Sequence, residues 1–158
     1  MNFLKNLFNI DTAYAHCDIP CGIYDPHLAQ VAAFTVLRMD NLIGQLDKNA
    51  ADYNHKFARY VATKEEHAEL CKHEVRVIWG DYFKPDKHGE HFKKANDLAH
   101  KIMLLASKNR QEISESAAKD LIAAVNEFAT VFWATKNVPT AKLTAPYPTG
   151  GEMVVPKA

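Results

Sequence analysis

Residues 25–46 read Asp25-Pro26-His27-Leu28-Ala29-Gln30-Val31-Ala32-Ala33-Phe34-Thr35-Val36-Leu37-Arg38-Met39-Asp40-Asn41-Leu42-Ile43-Gly44-Gln45-Leu46. Asp25 suits a helix N-cap and Pro26 the first helical position. Leu28, Ala32, Val36, Met39, Ile43 and Leu46 then recur at steps of three and four, which draws one apolar stripe down a helix. The same period returns downstream. It predicts a second helix from about Asp52 to Phe83, striped by Phe57, Val61, Ala68, Cys71, Val75, Ile78 and Tyr82 and broken by Lys84-Pro85-Asp86 and His88-Gly89. A third helix runs from about Glu90 to Lys108 with Phe92, Ala95, Ala99, Ile102 and Ala106 on one face. Ser114 or Ser116 caps a fourth, striped by Ala118, Leu121, Val125, Phe128 and Phe132 and ending near Lys136. No segment alternates with period two, so no strand is expected. Four amphipathic helices on short connections predict an all-α, antiparallel four-helix bundle over residues 25–137.

Composition excludes several classes. A chain of 158 residues is one domain with a real core. Nineteen Lys and Arg balance nineteen Asp and Glu, which disfavours a nucleic-acid binder. No apolar run approaches the roughly 20 residues a membrane span needs, so no integral membrane protein is expected. Three cysteines do not build a disulfide scaffold.

Both ends of the chain differ from the bundle. Residues 1–15 form a leader ending in Ala13-Tyr14-Ala15, a pattern processing peptidases accept. As a secretory signal it is poor, with Lys5 its only basic residue and Asn6, Asn9 and Asp11 breaking the apolar stretch, so a propeptide removed without export is the reading. Residues 138–158 carry Pro139, Pro146, Pro148, Pro156 and Gly150-Gly151 and read as an extended tail, whose Met153-Val154-Val155 packs on the bundle or on a neighbour.

The chemistry is concentrated in residues 16–24. His16, Cys17 and Cys21 supply an imidazole and two thiols close together, a donor set suited to copper, zinc, nickel or iron. Pro20 stiffens the loop and Gly22 permits a sharp turn. A structural zinc site wants four ligands, and the spacing is not that of a C-x-x-C redox or haem motif. Cleavage after Ala15 would make His16 the N-terminus, placing a free amine, the Cys17 amide nitrogen and the Cys17 thiolate in fused chelate rings that favour a plane. The Cys21 thiolate closes that plane and the His16 imidazole binds axially. Tetragonal N/S coordination points to Ni(II) or Cu(II), and sulfur donation brings a Ni(II)/Ni(III) couple into reach.

The run His16-Cys17-Asp18-Ile19-Pro20-Cys21-Gly22-Ile23-Tyr24, followed by Asp25-Pro26, resembles the nickel hook of the nickel-containing superoxide dismutases. Trp79-Gly80-Asp81-Tyr82-Phe83-Lys84-Pro85 is similar to that family's second signature. The resemblance implies disproportionation of superoxide to dioxygen and hydrogen peroxide, with one nickel ion per subunit held by His16, Cys17 and Cys21. Tyr24 and Tyr82 match the tyrosines that flank the family's metal site and limit access to it, and Asp18 would hold the hook by hydrogen bonds. It implies a homohexamer, a maturation peptidase and a cytoplasmic location. One position departs. Where some members place a supporting Glu, this chain has Ala32, and Arg59 is the candidate match to the family's Arg in that network.

Other residues carry plainer readings. Cys71, on the second helix's stripe, reads as a buried thiol. His27, His55, His67, His73, His88, His91 and His100 form no convincing second metal site, although His88 and His91 beside a turn are able to hold stray metal. Lys84 is either a guide for an anionic substrate or a solvated lysine, and Trp79 and Trp133 are core or interface aromatics. Three rival functions remain at this stage: a nickel or copper carrier using the same hook without turnover, a thiol–disulfide switch on Cys17 and Cys21, and a helical interaction module.

Overall fold

A computed structural model describes residues 21–157. Four helices succeed one another, α1 (His27–Gly44), α2 (Tyr53–Val77), α3 (Pro85–Gln111) and α4 (Glu115–Thr135), and a hairpin of β1 (Thr140–Thr144) and β2 (Glu152–Pro156) closes the chain. The helices run alternately up and down and pack α1 on α2, α2 on α3, α3 on α4 and α4 back on α1, which makes the predicted antiparallel bundle.

The helix ends follow local chemistry. The Asp25 carboxylate accepts the His27 N–H at 2.8 Å, and Pro26, at φ −68°, leads the chain into α1. Of the two serines proposed to cap the fourth helix, Ser114 does so, its hydroxyl accepting from Ala117 N–H at 3.3 Å. At the far end of α4, Asn137 takes a left-handed conformation (φ 56°), and the Val138 N–H returns to the Trp133 carbonyl at 3.1 Å, a Schellman-type stop.

The expected second helix is a composite. After Val77 the rod continues as a π turn over Ile78–Tyr82, in which the Phe83 N–H reaches the Ile78 carbonyl, five residues back rather than four. That shift puts Phe83 in the core and leaves Tyr82, expected to continue the stripe, half-buried at the rim. The third helix starts earlier than expected, at Pro85, but breaks at Gly89, whose φ of 47° and ψ of −117° lie outside the helical region.

The α3 and α4 stripes pack largely as read: from Ala118 to Phe132 every predicted position of α4 is buried. On α1 the buried face is turned by one position, to Ala29, Ala32, Ala33, Val36, Leu37 and Asp40, and Leu28 faces solvent. Small residues on that face let α1 lie close to its neighbours.

The tail corrects the expectation of no strand. Its two strands pair antiparallel, Lys142 opposite Val154. The tail was too short and too rich in proline and glycine to show a period. As expected, its apolar residues pack on the bundle: Met153 and Val154 are buried, and Tyr147 meets Phe34 edge-on at 5.3 Å. Two polar side chains latch the hairpin down. Gln30 Nε2 donates to the Val154 carbonyl at 2.9 Å and to Asn126 Oδ1 at 2.8 Å, and Asn126 Nδ2 donates to the Glu152 carbonyl at 2.7 Å. Gly151 is required there: its φ is 92°, and a Cβ would sit 3.2 Å from the Phe34 ring.

No helix among the described residues is long and apolar enough to cross a membrane.

Candidate metal centre

The antiparallel order brings four chain segments to one end of the bundle: the loop before α1, the π turn after α2, the first turn of α3 and the end of α4. Of the predicted ligands, Cys21 is described, and His16 and Cys17, together with Asp18, lie outside the described residues, as do the leader and any Cys17–Cys21 disulfide. Cys21 is exposed, and its Sγ accepts the Ile23 N–H at 3.4 Å. Gly22, at φ 71°, turns the loop in a conformation that glycine adopts without strain. No group of three metal-binding side chains occurs among the described residues. The sequence supplies a His16 imidazole and a Cys17 thiol close to Cys21 along the chain, and with the exposed, hydrogen-bonded Cys21 sulfur this donor set would suit a thiophilic metal.

The structure brings the two predicted tyrosines together. The rings of Tyr24 and Tyr82 lie 5.6 Å apart, tilted by 53°. Tyr82 is held on every side. Its ring packs against Phe132 at 4.9 Å, Phe83 at 5.3 Å and His88 at 5.0 Å, the last nearly parallel. Its hydroxyl lies 2.7 Å from Thr135 Oγ1, which is also 2.6 Å from the Phe132 carbonyl. A carbonyl only accepts, so Thr135 donates to it and receives the Tyr82 hydrogen. The phenol proton is thereby committed to Thr135.

Positive charge gathers at the same end. Lys136 Nζ sits 5.0 Å from the centre of the Tyr82 ring and 5.3 Å from that of Phe132, a cation–π arrangement. Lys84 Nζ donates to the Gly80 carbonyl at 2.9 Å, across the π turn. The sequence reading gave Thr135 and Lys136 no role at the site, and it singled out His88 only as able to hold stray metal. The available signal was topological: in an antiparallel bundle the end of α4 must meet the end of α2, so residues just after Phe132 fall beside Tyr82.

Arg59 is not brought to this cluster. It is exposed on α2, roughly 35 Å along the helix axis from Tyr82 at 1.5 Å per residue. Ala32 is buried in the core face of α1. Cys71 is fully buried as expected, and burial pushes its thiol up to about 12. His67 is half-buried with Nδ1 2.9 Å from the Thr63 carbonyl, and His73 is exposed.

Comparison with known proteins points one way. The family profile described as nickel-containing superoxide dismutase matches residues 11–136. A relative named superoxide dismutase [Ni] from Streptomyces coelicolor is 36% identical over 128 residues, 79% of this chain and 91% of its own length. One of the same name from Streptomyces seoulensis is 32% identical over 122 residues, 77% of this chain and 88% of its own. Among solved structures, native nickel superoxide dismutase superposes with a TM-score of 0.68 at 31% identity, covering 77% of this chain and 99% of the other. An apo form of nickel superoxide dismutase superposes with a TM-score of 0.65 at 28% identity, covering 73% and 99%.

Proposed function

This chain belongs to the nickel-containing superoxide dismutase family and disproportionates superoxide to dioxygen and hydrogen peroxide, and from that premise we propose how its residues divide the work. The observation that carries the assignment of roles is the junction of two segments distant in sequence: the loop that continues the hook presents Tyr24 to Tyr82 at 5.6 Å.

The metal-holding residues are His16, through its amine and imidazole, Cys17, through its amide nitrogen and thiolate, and the Cys21 thiolate. When bound, nickel supplies a one-electron couple between Ni(II) and Ni(III). Asp18 steadies the hook by hydrogen bonding. Tyr24 and Tyr82 narrow the approach, which protects thiolates that hydrogen peroxide oxidises. Tyr82 serves as a wall rather than a ready acid, because its proton is engaged by Thr135. Lys84 and Lys136 give that wall a positive field in a chain of zero formal charge, and a positive field raises the encounter rate of an anion such as superoxide.

Maturation removes residues 1–15 and exposes the His16 amine, the mature chain assembles as a homohexamer, and it works in the cytoplasm. The support for these readings is the Ala13-Tyr14-Ala15 site, the poor secretory character of the leader and the family itself.

Three experiments test the proposal. A variant blocked against processing, still carrying residues 1–15, should hold little nickel and have little activity; full activity would sink the amine-ligand assignment. Replacing Tyr24 and Tyr82 together by Phe should change turnover or inhibition by azide with nickel still bound, and no change in either removes the gating role. Native mass spectrometry of the enzyme from its own host should show hexamers of chains beginning at His16 with one nickel each.

A further inference from the structure

We propose that His88 is a positioning residue for Tyr82, and that it makes the orientation of that tyrosine sensitive to pH. The inference rests on the reading of Tyr82 as part of the gate and adds what holds and moves it.

The geometry begins with the start of α3. Lys84 is the N-cap, with extended backbone, and Pro85 follows at the first helical position. The His88 N–H donates to the Lys84 carbonyl at 3.0 Å, and the Lys84 N–H donates to His88 Nδ1 at 3.0 Å. A side chain reaching back to the N-cap N–H is the work that Glu or Gln does in a capping box. Here an imidazole does it, and its ring then lies on Tyr82, 5.0 Å between centres and only 27° from parallel, with Phe83 edge-on at 5.5 Å. Gly89, with its positive φ, breaks α3 directly after His88. One turn of chain thus serves to hold one ring against the tyrosine.

The Lys84 bond defines the tautomer. Nδ1 accepts, so in the neutral ring the proton is on Nε2. Protonation places a hydrogen on Nδ1, and two N–H groups then face each other. The bond is lost, the ring must turn, and the plate on which Tyr82 rests moves with it. A new positive charge also arrives at a phenol ring that already carries Lys136. The titratable groups around His88 are Tyr82 and Lys84 from the preceding segment, Lys136 from the end of α4 and Tyr24 from the loop before α1, the last two reached through Tyr82. Asp86, Lys87, Glu90 and His91 are exposed on its own helix. Among the described residues no ion pair engages His88, Lys84 or Lys136.

The test uses the full chain with and without nickel, the solved apo relative showing that this fold persists without metal. Tyrosine ring resonances and the His88 imidazole are followed by NMR between about pH 5 and 8, the range in which histidine changes charge. The Tyr82 signals should shift with the midpoint of His88. They should stay flat in His88→Gln, which restores the acceptor without charge, and in His88→Phe, which keeps the stacked ring. In the loaded enzyme, inhibition by azide should change about fivefold between the two limits in the wild type, the factor equivalent to ~1 kcal/mol or one ordinary hydrogen bond, and lose that inflection in both variants. A His88 that does not titrate in this range, Tyr82 signals that ignore it, or an inflection that survives in His88→Gln would overturn the proposal. Failure of the Tyr24/Tyr82 double variant to alter turnover, with the NMR coupling intact, removes the gate but leaves the His88–Tyr82 linkage standing.

Discussion

The two ends of this bundle solve opposite problems. At one, Tyr24, Tyr82 and His88 stack half-exposed beside exposed Cys21, with Lys84 and Lys136 around them. At the other, Asp40 of α1 and Lys64 of α2 are buried as a pair, Nζ 3.3 Å from Oδ1. Lys64 also donates to the Glu112 carbonyl, and Asp40 Oδ2 accepts the Ser114 N–H at 3.3 Å, so the pair ties both helices to the α3–α4 turn. Burial raises the Asp40 carboxyl above its ordinary range, and Lys64 opposes that rise. Such a pair adds little net stability, because desolvation offsets the attraction, but removing one partner strands the other. The difference teaches where charge belongs in this fold. Buried charge ties the helices together at the closed end, and solvated charge sits around aromatic rings at the open end.

The sharpest break in the comparison comes from Cys21→Ser. Nickel and superoxide turnover should both fall to background, while the unfolding free energy of the metal-free chain stays within about 0.5 kcal/mol of wild type, as for an exposed side chain outside the core. Metal analysis beside urea unfolding checks it, and full retention of nickel removes Cys21 from the ligand set. Lys64→Met should do the reverse. It should cost about 3–5 kcal/mol in urea unfolding, with turnover per bound nickel unchanged, and Asp40→Leu added to it should recover most of the loss. A double variant no more stable than the single one would refute the stranded-charge account.

Between the ends, Asn126→Ala removes bonds to Gln30, the Glu152 carbonyl and the Val154 N–H. A loss of about 1–3 kcal/mol is expected, with faster amide exchange in the hairpin and unchanged exchange in the α2–α3 pair. Exchange that rises equally everywhere would mean that the hairpin is inseparable from the bundle. The last effect appears only above pH 9 and comes from Cys71, buried in the core face of α2. The folded thiol holds its proton up to about 12, whereas the unfolded thiol releases it near its ordinary value of 9.0. Unfolding therefore releases a proton above that value, and stability falls with rising pH by up to ~1.4 kcal/mol per pH unit. The contribution is complete below pH 9 and is lost towards 12. Cys71→Ala should remove that share of the alkaline slope, and an unaltered slope would contradict the burial of this thiol.

The helices were legible because their signal is local. A period of three to four in apolar residues, with Ser114 as a cap and Gly89 as a break, needs no knowledge of the rest of the chain. The hook was legible for the same reason, since its donors are neighbours in sequence. Arg59 shows what residue context leaves open: within this chain it lies toward the start of α2, far from Tyr82, and the His16 ring it was matched to lies outside the described residues.

The remaining features depend on what meets in space. A five-residue turn rather than a four-residue one after Val77 moved Phe83 into the core and Tyr82 to the rim, and no apolar period announces that exchange. The hairpin forms because Gln30 and Asn126, on different helices, offer partners for its backbone. Lys64 lies between Val61 and Ala68 of the α2 stripe, and only Asp40, placed opposite it by the packing of α1 on α2, gives its buried charge a partner. The order of residues thus determined the helices, their number and the metal-binding chemistry, all set by neighbours a few positions apart. Tertiary packing alone decided which charges are dry, which tyrosine stands at the rim and which of the histidines stacks on it, because those choices depend on contacts between segments rather than on sequence period.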